Sequence, residues 1–468
     1  MPNSQNIKLA RSSYRREDVV LGVVHVGISA FHRSHQAAYY DSLMEKTGDL
    51  RWGVAGVNVR AAQSPETERL RKRNGEYVLK TVSFEGKTEY RLVRSLIRVI
   101  DHATASTEAH RLLALPSVHV VSATVTESGY YMASDGSLDV ARKEIADELA
   151  GGPQSTIYGF LRAGLRARME ADGAAVTIMC CDNLRENGKI LRRNFLAYLS
   201  AAKDDALLEW VKTKASFPCA MVDRITPRPT DALSHEIEEL FGIKDDFSVF
   251  SEDFSQWVIE DAFAAERPPL DAAGAEFVPN VAPYEEAKIR LLNGGHSCVA
   301  YLAALKGYSN FGTALRDPEL SAFFDAYERE DAVPGLKESP LDLASYVASI
   351  KNRFLNPHIA DAVERICMDG ANKIAIFVRP TMVARYEAGA VPRCAIAVAA
   401  AWYAFMRRVA EGNAAIPYVD PSFDELKPLL ALGKEAEFAG RASIWGDLPV
   451  RFPRFVVDVT EAIRATHP

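Results

Sequence analysis

The sequence predicts an α/β domain with an extended, mostly parallel sheet over residues 1–283, followed by an all-α domain over residues 284–468. Three observations carry this reading. Short, nearly continuous apolar runs, of the kind shown by strands buried on both faces, recur through the first half with helical periods between them. Past about Tyr284 the strand signals almost vanish, and the remaining apolar segments are long and helical. A short proline-containing stretch, Pro279 to Pro283, separates the two, and 468 residues exceed what one ordinary core encloses.

The first apolar run, Val19 to Ser29, reads VVLGVVHVGIS and leads into a helix from about Ser34 to Met44. Further strand-like runs lie at Trp52 to Val59, Leu92 to Ile100, Val118 to Thr126 and Ala175 to Cys181, with helical periods at Thr107 to Leu115 and Ile157 to Glu170. In the second part, helices are expected at Glu285 to Lys306, Pro318 to Glu330, Leu341 to Phe354, Ala360 to Met368 and Pro392 to Glu411.

Composition narrows the class of function. A hydrophobic share of 48% and a charged share of 25% are those of a folded globular chain. The net charge of −7 is not gathered into blocks, and the basic clusters Arg69 to Arg73 and Arg162 to Arg168 read as solvated helix faces, so a small-molecule partner is expected and no nucleic acid. Neither a signal-like N-terminus nor an apolar run of membrane-spanning length is present, which predicts a cytosolic protein without a membrane partner. The six cysteines are scattered, with no C-x-x-C and no Cys/His cluster at zinc spacing, so they are expected to be reduced and buried and no metal is expected.

A strand ending in glycine, a second small residue two places on and a helix beginning there are how a Rossmann-type domain seats a pyrophosphate. The segment here is Gly27-Ile28-Ser29-Ala30-Phe31-His32-Arg33, in which Ser29 replaces the second glycine and the third is absent. Taken alone it serves equally well as an ordinary strand-to-helix turn. The second strand ends Val57-Asn58-Val59-Arg60, where this fold often carries an acid for the cofactor ribose; an arginine there can accept a 2′-phosphate, which leaves NAD and NADP both open.

A second constellation opens the helical part: Lys288, Asn293 and His296 within KIRLLNGGH. On an ideal helix Asn293 and His296 stand about 60° apart, but Lys288 stands about 140° from Asn293, so the three form no narrow stripe unless the helix is irregular. The residue types suit metal-free alcohol oxidation, which needs a base for the hydroxyl proton and donors for the developing alkoxide. A solvated lysine and a hydrogen-bonded histidine are the alternative.

Seven segments, in order, give the chain a resemblance to a known family: GISAFHRSHQAAYYDSL at 27–43, TVTESGYY at 124–131, CCDN at 180–183, FPCAMVDRITP at 217–227, QWVIED at 256–261, PYEEAKIRLLNGGHS at 283–297 and RICMDGANKIAIFVRP at 365–380. The chain resembles the long-chain, metal-independent polyol dehydrogenases, the family of mannitol 2-dehydrogenase, arabinitol 4-dehydrogenase and fructuronate reductase. The resemblance implies Lys288 as general base, Asn183 and Asn293 as donors to the alkoxide, and His296 as a substrate contact. It implies Arg365 and Lys373 at distal hydroxyls or a carboxylate, with Glu285 tuning or relaying the lysine's proton. Cofactor contacts fall to Gly27, Ser29, Phe31, Arg33 and Arg60, with Glu127 and Asp223 near the nicotinamide ribose and the site wall.

The resemblance further implies NAD as cofactor, with NADP as the alternative, a monomer, and a polyol or sugar acid as substrate. In two places the chain differs from the family pattern: Ser29 stands for a glycine, and Arg60, Ala61 and Ala62 stand where many NAD-dependent members carry an acid. Oxidation of a polyol to a ketose is the expected reaction, reduction of a keto sugar acid the alternative within the family, and a non-catalytic dinucleotide-binding sensor the alternative outside it.

Overall fold

The computed structural model describes residues 7–133, 135–171, 173–336, 339–359 and 361–466. The chain divides into two compact units, Met1–Ser83 with Lys87–Ala282, and Phe84–Gly86 with Pro283–Pro468.

In the first unit β1 (Leu21–Val26), β2 (Gly53–Asn58), β3 (Leu96–Asp101), β4 (Val120–Ala123), β5 (Val176–Cys180) and β6 (Ala215–Ser216) form one sheet in the order β3-β2-β1-β4-β5-β6. All its pairings are parallel. This is the doubly wound order of dinucleotide-binding folds, and it reverses between β1 and β4, where such sheets open a crevice at the carboxyl ends of the strands.

All six residues of β1 are buried. Val24 and Val26 belong to one core with Leu112, Phe160 and Leu161, whereas Val23 belongs to another with Ala37, Tyr40 and Leu43. Burial on both faces makes the strand a continuous apolar run instead of an alternating one. His25, its polar exception, is held by Ser122 Oγ at 2.8 Å and Thr124 Oγ1 at 2.9 Å.

The helix expected from about Ser34 to Met44 is α2 (Gln36–Thr47), preceded by a shorter α1 (Ala30–Ser34) and set off from it at His35, with φ −111° and ψ −92°. The run Leu92 to Ile100 is two strands in different sheets: Thr88–Val93 pairs antiparallel with Tyr77–Val82, and β3 pairs with β2. The break falls where the Arg94 guanidinium donates to the carbonyls of Ser12 and Tyr14 and Ser95 Oγ donates to Ala37 O. Apolar periodicity does not register such a tertiary anchor.

In the second unit no strand occurs among the described residues, only an isolated bridge between Asn310 and Ala362. Leu343–Phe354 and Arg393–Ala410 form near their expected limits. Val363–Cys367 is shorter than expected, and its expected start, Ala360, lies outside the described residues. The core gathers Trp402, Tyr403 and Phe405 with Phe455 and Val459 of the C-terminal helix Pro453–Thr466, which the sequence reading omitted. No helix among the described residues is long and apolar enough to cross a membrane.

The expected helix Glu285 to Lys306 is α3 (Ala282–Ala287), a π-helical turn over Lys288–Asn293, and α4 (Gly294–Leu305). Two more π turns, Tyr327–Ala332 and Ile374–Val378, pack against it. Their approach depends on the Gly294–Gly295 pair: a Cβ on Gly294 would meet Tyr327 Oη at 2.6 Å, and one on Gly295 would meet Glu328 Oε1 at 2.7 Å.

Candidate active site

In the first unit the ends of β1, β2 and β4 converge on one hollow. Gly27 and Ser29 line it from the turn after β1, Asn58, Arg60 and Gln63 from the end of β2, and Thr124, Val125 and Thr126 from the end of β4. Gly27 has φ +98°, and a Cβ there would lie 2.0 Å from Thr124 O, so only glycine lets the two strand ends approach this closely. Ser29 Oγ accepts from His32 N at 3.1 Å, so the serine that replaces glycine caps α1. Asn58 uses its side chain locally, accepting from Arg60 N and donating to Arg60 O and Asp101 Oδ1, while Arg60 Nη2 donates to Val125 O at 3.1 Å across the hollow.

The rest of the hollow's rim is tied down by Asp182, a residue of the CCDN segment to which sequence reasoning gave no role. Its carboxylate accepts from Val125 N at 3.0 Å, Thr126 N at 2.9 Å and Tyr130 Oη at 2.6 Å, bridging the ends of β4 and β5. Burial pushes its pKa up to about 6 against these hydrogen bonds. The turn it holds is strained, with Thr126 at φ +67° and Tyr131 at φ +47°.

Other sites expected in this unit are spread about it. Asn183 is exposed just after β5 and Glu127 is exposed in the turn Glu127–Tyr130, whereas Asp223 is buried at the end of the strand Ala220–Asp223. Phe31 stacks on His35 with ring centroids 5.1 Å apart. The Arg33 guanidinium turns inward, donating to Ile28 O and lying over Tyr77 and Phe247. Neither Phe31 nor Arg33 is among the residues lining the hollow.

The other expected residues lie in the second unit. Lys288 and Glu285 are each only 7% exposed. In a π turn hydrogen bonds run i→i+5 and each turn holds more residues than an α-helical one. Lys288 and Asn293, five apart, bound this turn, and the wider backbone narrows the 140° offset that an ideal helix would impose. His296 follows in the first turn of α4, stacked on Phe354 at 4.2 Å and edge-on to Phe311 at 4.5 Å. Burial pushes its imidazole down to about 4, with Asp361 opposing, so it is neutral near pH 7.

Asp361, likewise missed, ties this group together: its Oδ2 lies 3.4 Å from His296 Nε2, and it accepts from Arg365 Nε at 2.8 Å and Nη2 at 2.6 Å. Lys373 Nζ donates to the carbonyls of Arg365 and Ile366, and burial lowers its pKa, with Arg365 adding to the effect. No sequence signal marked Asp361, which stands four residues before the arginine in a segment that reads as helix start. The six cysteines are buried and form no disulfide, and no group of three or more metal-ligating side chains occurs among the described residues.

The arrangement agrees with known proteins along the whole chain. The mannitol dehydrogenase Rossmann-domain model matches residues 21–272, and the mannitol dehydrogenase C-terminal-domain model matches residues 280–466. The chain is 37% identical over 448 residues to D-arabinitol 4-dehydrogenase of Ralstonia nicotianae, covering 95% of each. It is 34% identical over 476 residues to mannitol 2-dehydrogenase of Phaeosphaeria nodorum, covering 99% of this chain and 83% of that one. Among solved structures, the ternary complex of Pseudomonas fluorescens mannitol 2-dehydrogenase with NAD and D-mannitol superposes with a TM-score of 0.86 at 33% identity, covering 98% of this chain and 94% of that one. A substrate-free D-sorbitol dehydrogenase superposes with a TM-score of 0.88 at 29% identity, covering 98% and 97%. With a doubly wound sheet, a helical second unit and both family models matched in sequence, the chain belongs to the mannitol dehydrogenase family.

Proposed function

We propose that this protein oxidises a secondary alcohol of a polyol to a ketose with a nicotinamide dinucleotide, using Lys288 as general base and no metal. The observation that carries the reading is the π turn bounded by a buried lysine and an asparagine five residues on, with a neutral histidine on the next turn. The bound dinucleotide supplies the acceptor for the hydride of the carbinol carbon. Lys288 Nζ takes the hydroxyl proton as its free amine. The amides of Asn293 and Asn183 donate to the developing alkoxide, and His296 orients the reacting hydroxyl. Arg365 and Lys373 hold distal hydroxyls, and Glu285, near the lysine in sequence and equally buried, passes its proton on.

For the dinucleotide, Gly27 and Ser29 form the pyrophosphate turn, and Asn58 with Arg60 stands where this fold reads the 2′ position. NAD is the assigned cofactor; Arg60, in place of an acid, makes NADP an accepted alternative. Arg33 supports that turn through Ile28 O and Phe31 through its stack on His35, while Glu127 and Asp223 are assigned to the nicotinamide ribose and the site wall. The unit over 1–283 thus binds the cofactor, and that over 284–468 carries substrate and base. We assign the working form as a cytosolic monomer; six cysteines that form no disulfide are in keeping with a reducing compartment.

A panel of hexitols, pentitols, ketoses and hexuronates, read by nicotinamide absorbance with both cofactors, tests the proposal. Oxidation of D-mannitol or D-arabinitol is expected. Activity confined to keto sugar acids would replace the reading by a fructuronate reductase, and dinucleotide binding without any turnover would replace it by a sensor.

A further inference from the structure

Arg365 is well placed to bind a substrate carboxylate, yet the edge of its guanidinium that grips carboxylates is already taken. Nε and Nη2, the pair that forms a bidentate fork, both donate to Asp361. Asp361 is itself only 12% exposed at the side chain, and the same carboxylate reaches His296 Nε2 at 3.4 Å. Nη1 keeps its donors, which suit a neutral hydroxyl. The neighbouring cation, Lys373, is spent on two backbone carbonyls and lies in the field of Asp369. Asp361 sets one carboxylate against Arg365 and Asp369 another against Lys373, while Arg353 is a further cation in the field of His296. A second carboxylate brought by a substrate would face Asp361 with the Arg365 fork already occupied.

We propose that Asp361 is a specificity-determining and positioning residue, which neutralises Arg365 and engages His296 so that this cluster accepts an uncharged hydroxylated end and rejects a carboxylate. Toward His296 it places a carboxylate oxygen 3.4 Å from Nε2, on the ring edge that faces Arg365. The proposal rests on the polyol dehydrogenase reading above and deepens it.

The test compares reduction of D-fructose and D-fructuronate, which present the same carbonyl and differ at one terminal carbon, hydroxymethyl against carboxylate. In the wild type the ratio of kcat/KM, acid over neutral, is expected below one. Asp361→Asn frees the Arg365 fork and raises that ratio by about tenfold or more, while Asp361→Glu keeps it near the wild-type value. A purely structural role would lower both substrates by the same factor, and an unchanged ratio in a folded Asn variant overturns the proposal.

Should the Asn variant not fold, the wild type alone decides: D-mannonate must inhibit D-mannitol oxidation with a constant about tenfold or more above the KM for mannitol, and equal binding overturns the proposal. If the wild type turns over no polyol or ketose, the dehydrogenase reading fails separately. Quenching of bound NADH fluorescence by mannitol against mannonate, in wild type and Asp361→Asn, then still decides the role of Asp361.

Discussion

Replacing Lys288 by alanine isolates the base from everything else the second unit does. The lysine is only 7% exposed, so truncation removes a buried amine together with most of a flexible stem and leaves space behind it. Loss of a general base costs about 10² to 10⁴ in rate, which corresponds to roughly 3 to 5.5 kcal/mol of barrier. The assay is initial-rate oxidation of D-mannitol or D-arabinitol followed by nicotinamide absorbance across pH, beside cofactor affinity from NADH fluorescence and a thermal melt. We expect kcat to fall by at least a hundredfold and cofactor affinity to stay within about twofold, since the amine acts on the alcohol proton and not on the dinucleotide. Wild-type oxidation should rise with pH through one ionisation, and the variant should lose that rise. Small primary amines that fit the vacated space should restore part of the rate. A folded variant with near-normal turnover and the same pH profile refutes the assignment, and Lys288 would then be a helix cation with no part in the chemistry.

Further outcomes follow from the geometry. Arg60→Asp should move the NAD-to-NADP preference at least about tenfold toward NAD, because a carboxylate accepts a 2′-hydroxyl and repels a 2′-phosphate; an unaltered ratio of kcat/KM for the two cofactors would make Arg60 a mere brace for Val125 O. Gly27→Ala should destabilise the first unit by about 2 kcal/mol or more, since a left-handed alanine costs about 1–2 kcal/mol and its Cβ would also strike Thr124 O; a wild-type melting temperature together with wild-type NADH affinity would contradict this. Acid should destabilise the protein, because burial holds His25 down to about 3 and His296 to about 4, so below about pH 6.5 the unfolded chain takes up protons that the folded one refuses. Melting temperatures measured from pH 7.5 down to 4.5 should therefore fall as pH drops below about 6.5, with the Asp182 carboxyl, held up to about 6, opposing part of the fall, and NMR midpoints near about 6.5 for His25 and His296 would show that these imidazoles protonate freely in the native state.

The sequence by itself determined the class of each unit. Strands buried on both faces, such as β1, must be written as unbroken apolar runs, and long helical periods leave no room for a sheet after Tyr284. It also supplied Lys288, Asn293 and His296 as a chemical set, because base, amide donors and imidazole are what metal-free hydride transfer requires. Three things were decided only by tertiary structure. The division of Leu92 to Ile100 between two sheets depends on where Arg94 and Ser95 find partners far along the chain. The roles of Asp182 and Asp361 depend on side chains that meet across turns, since a carboxylate is anonymous in sequence until its donors are known. The placing of Lys288 relative to Asn293 depends on a backbone that departs from 3.6 residues per turn. Two glycines let the turn holding Tyr327 and Glu328 press against it, and that contact is invisible to any periodicity computed along KIRLLNGGH.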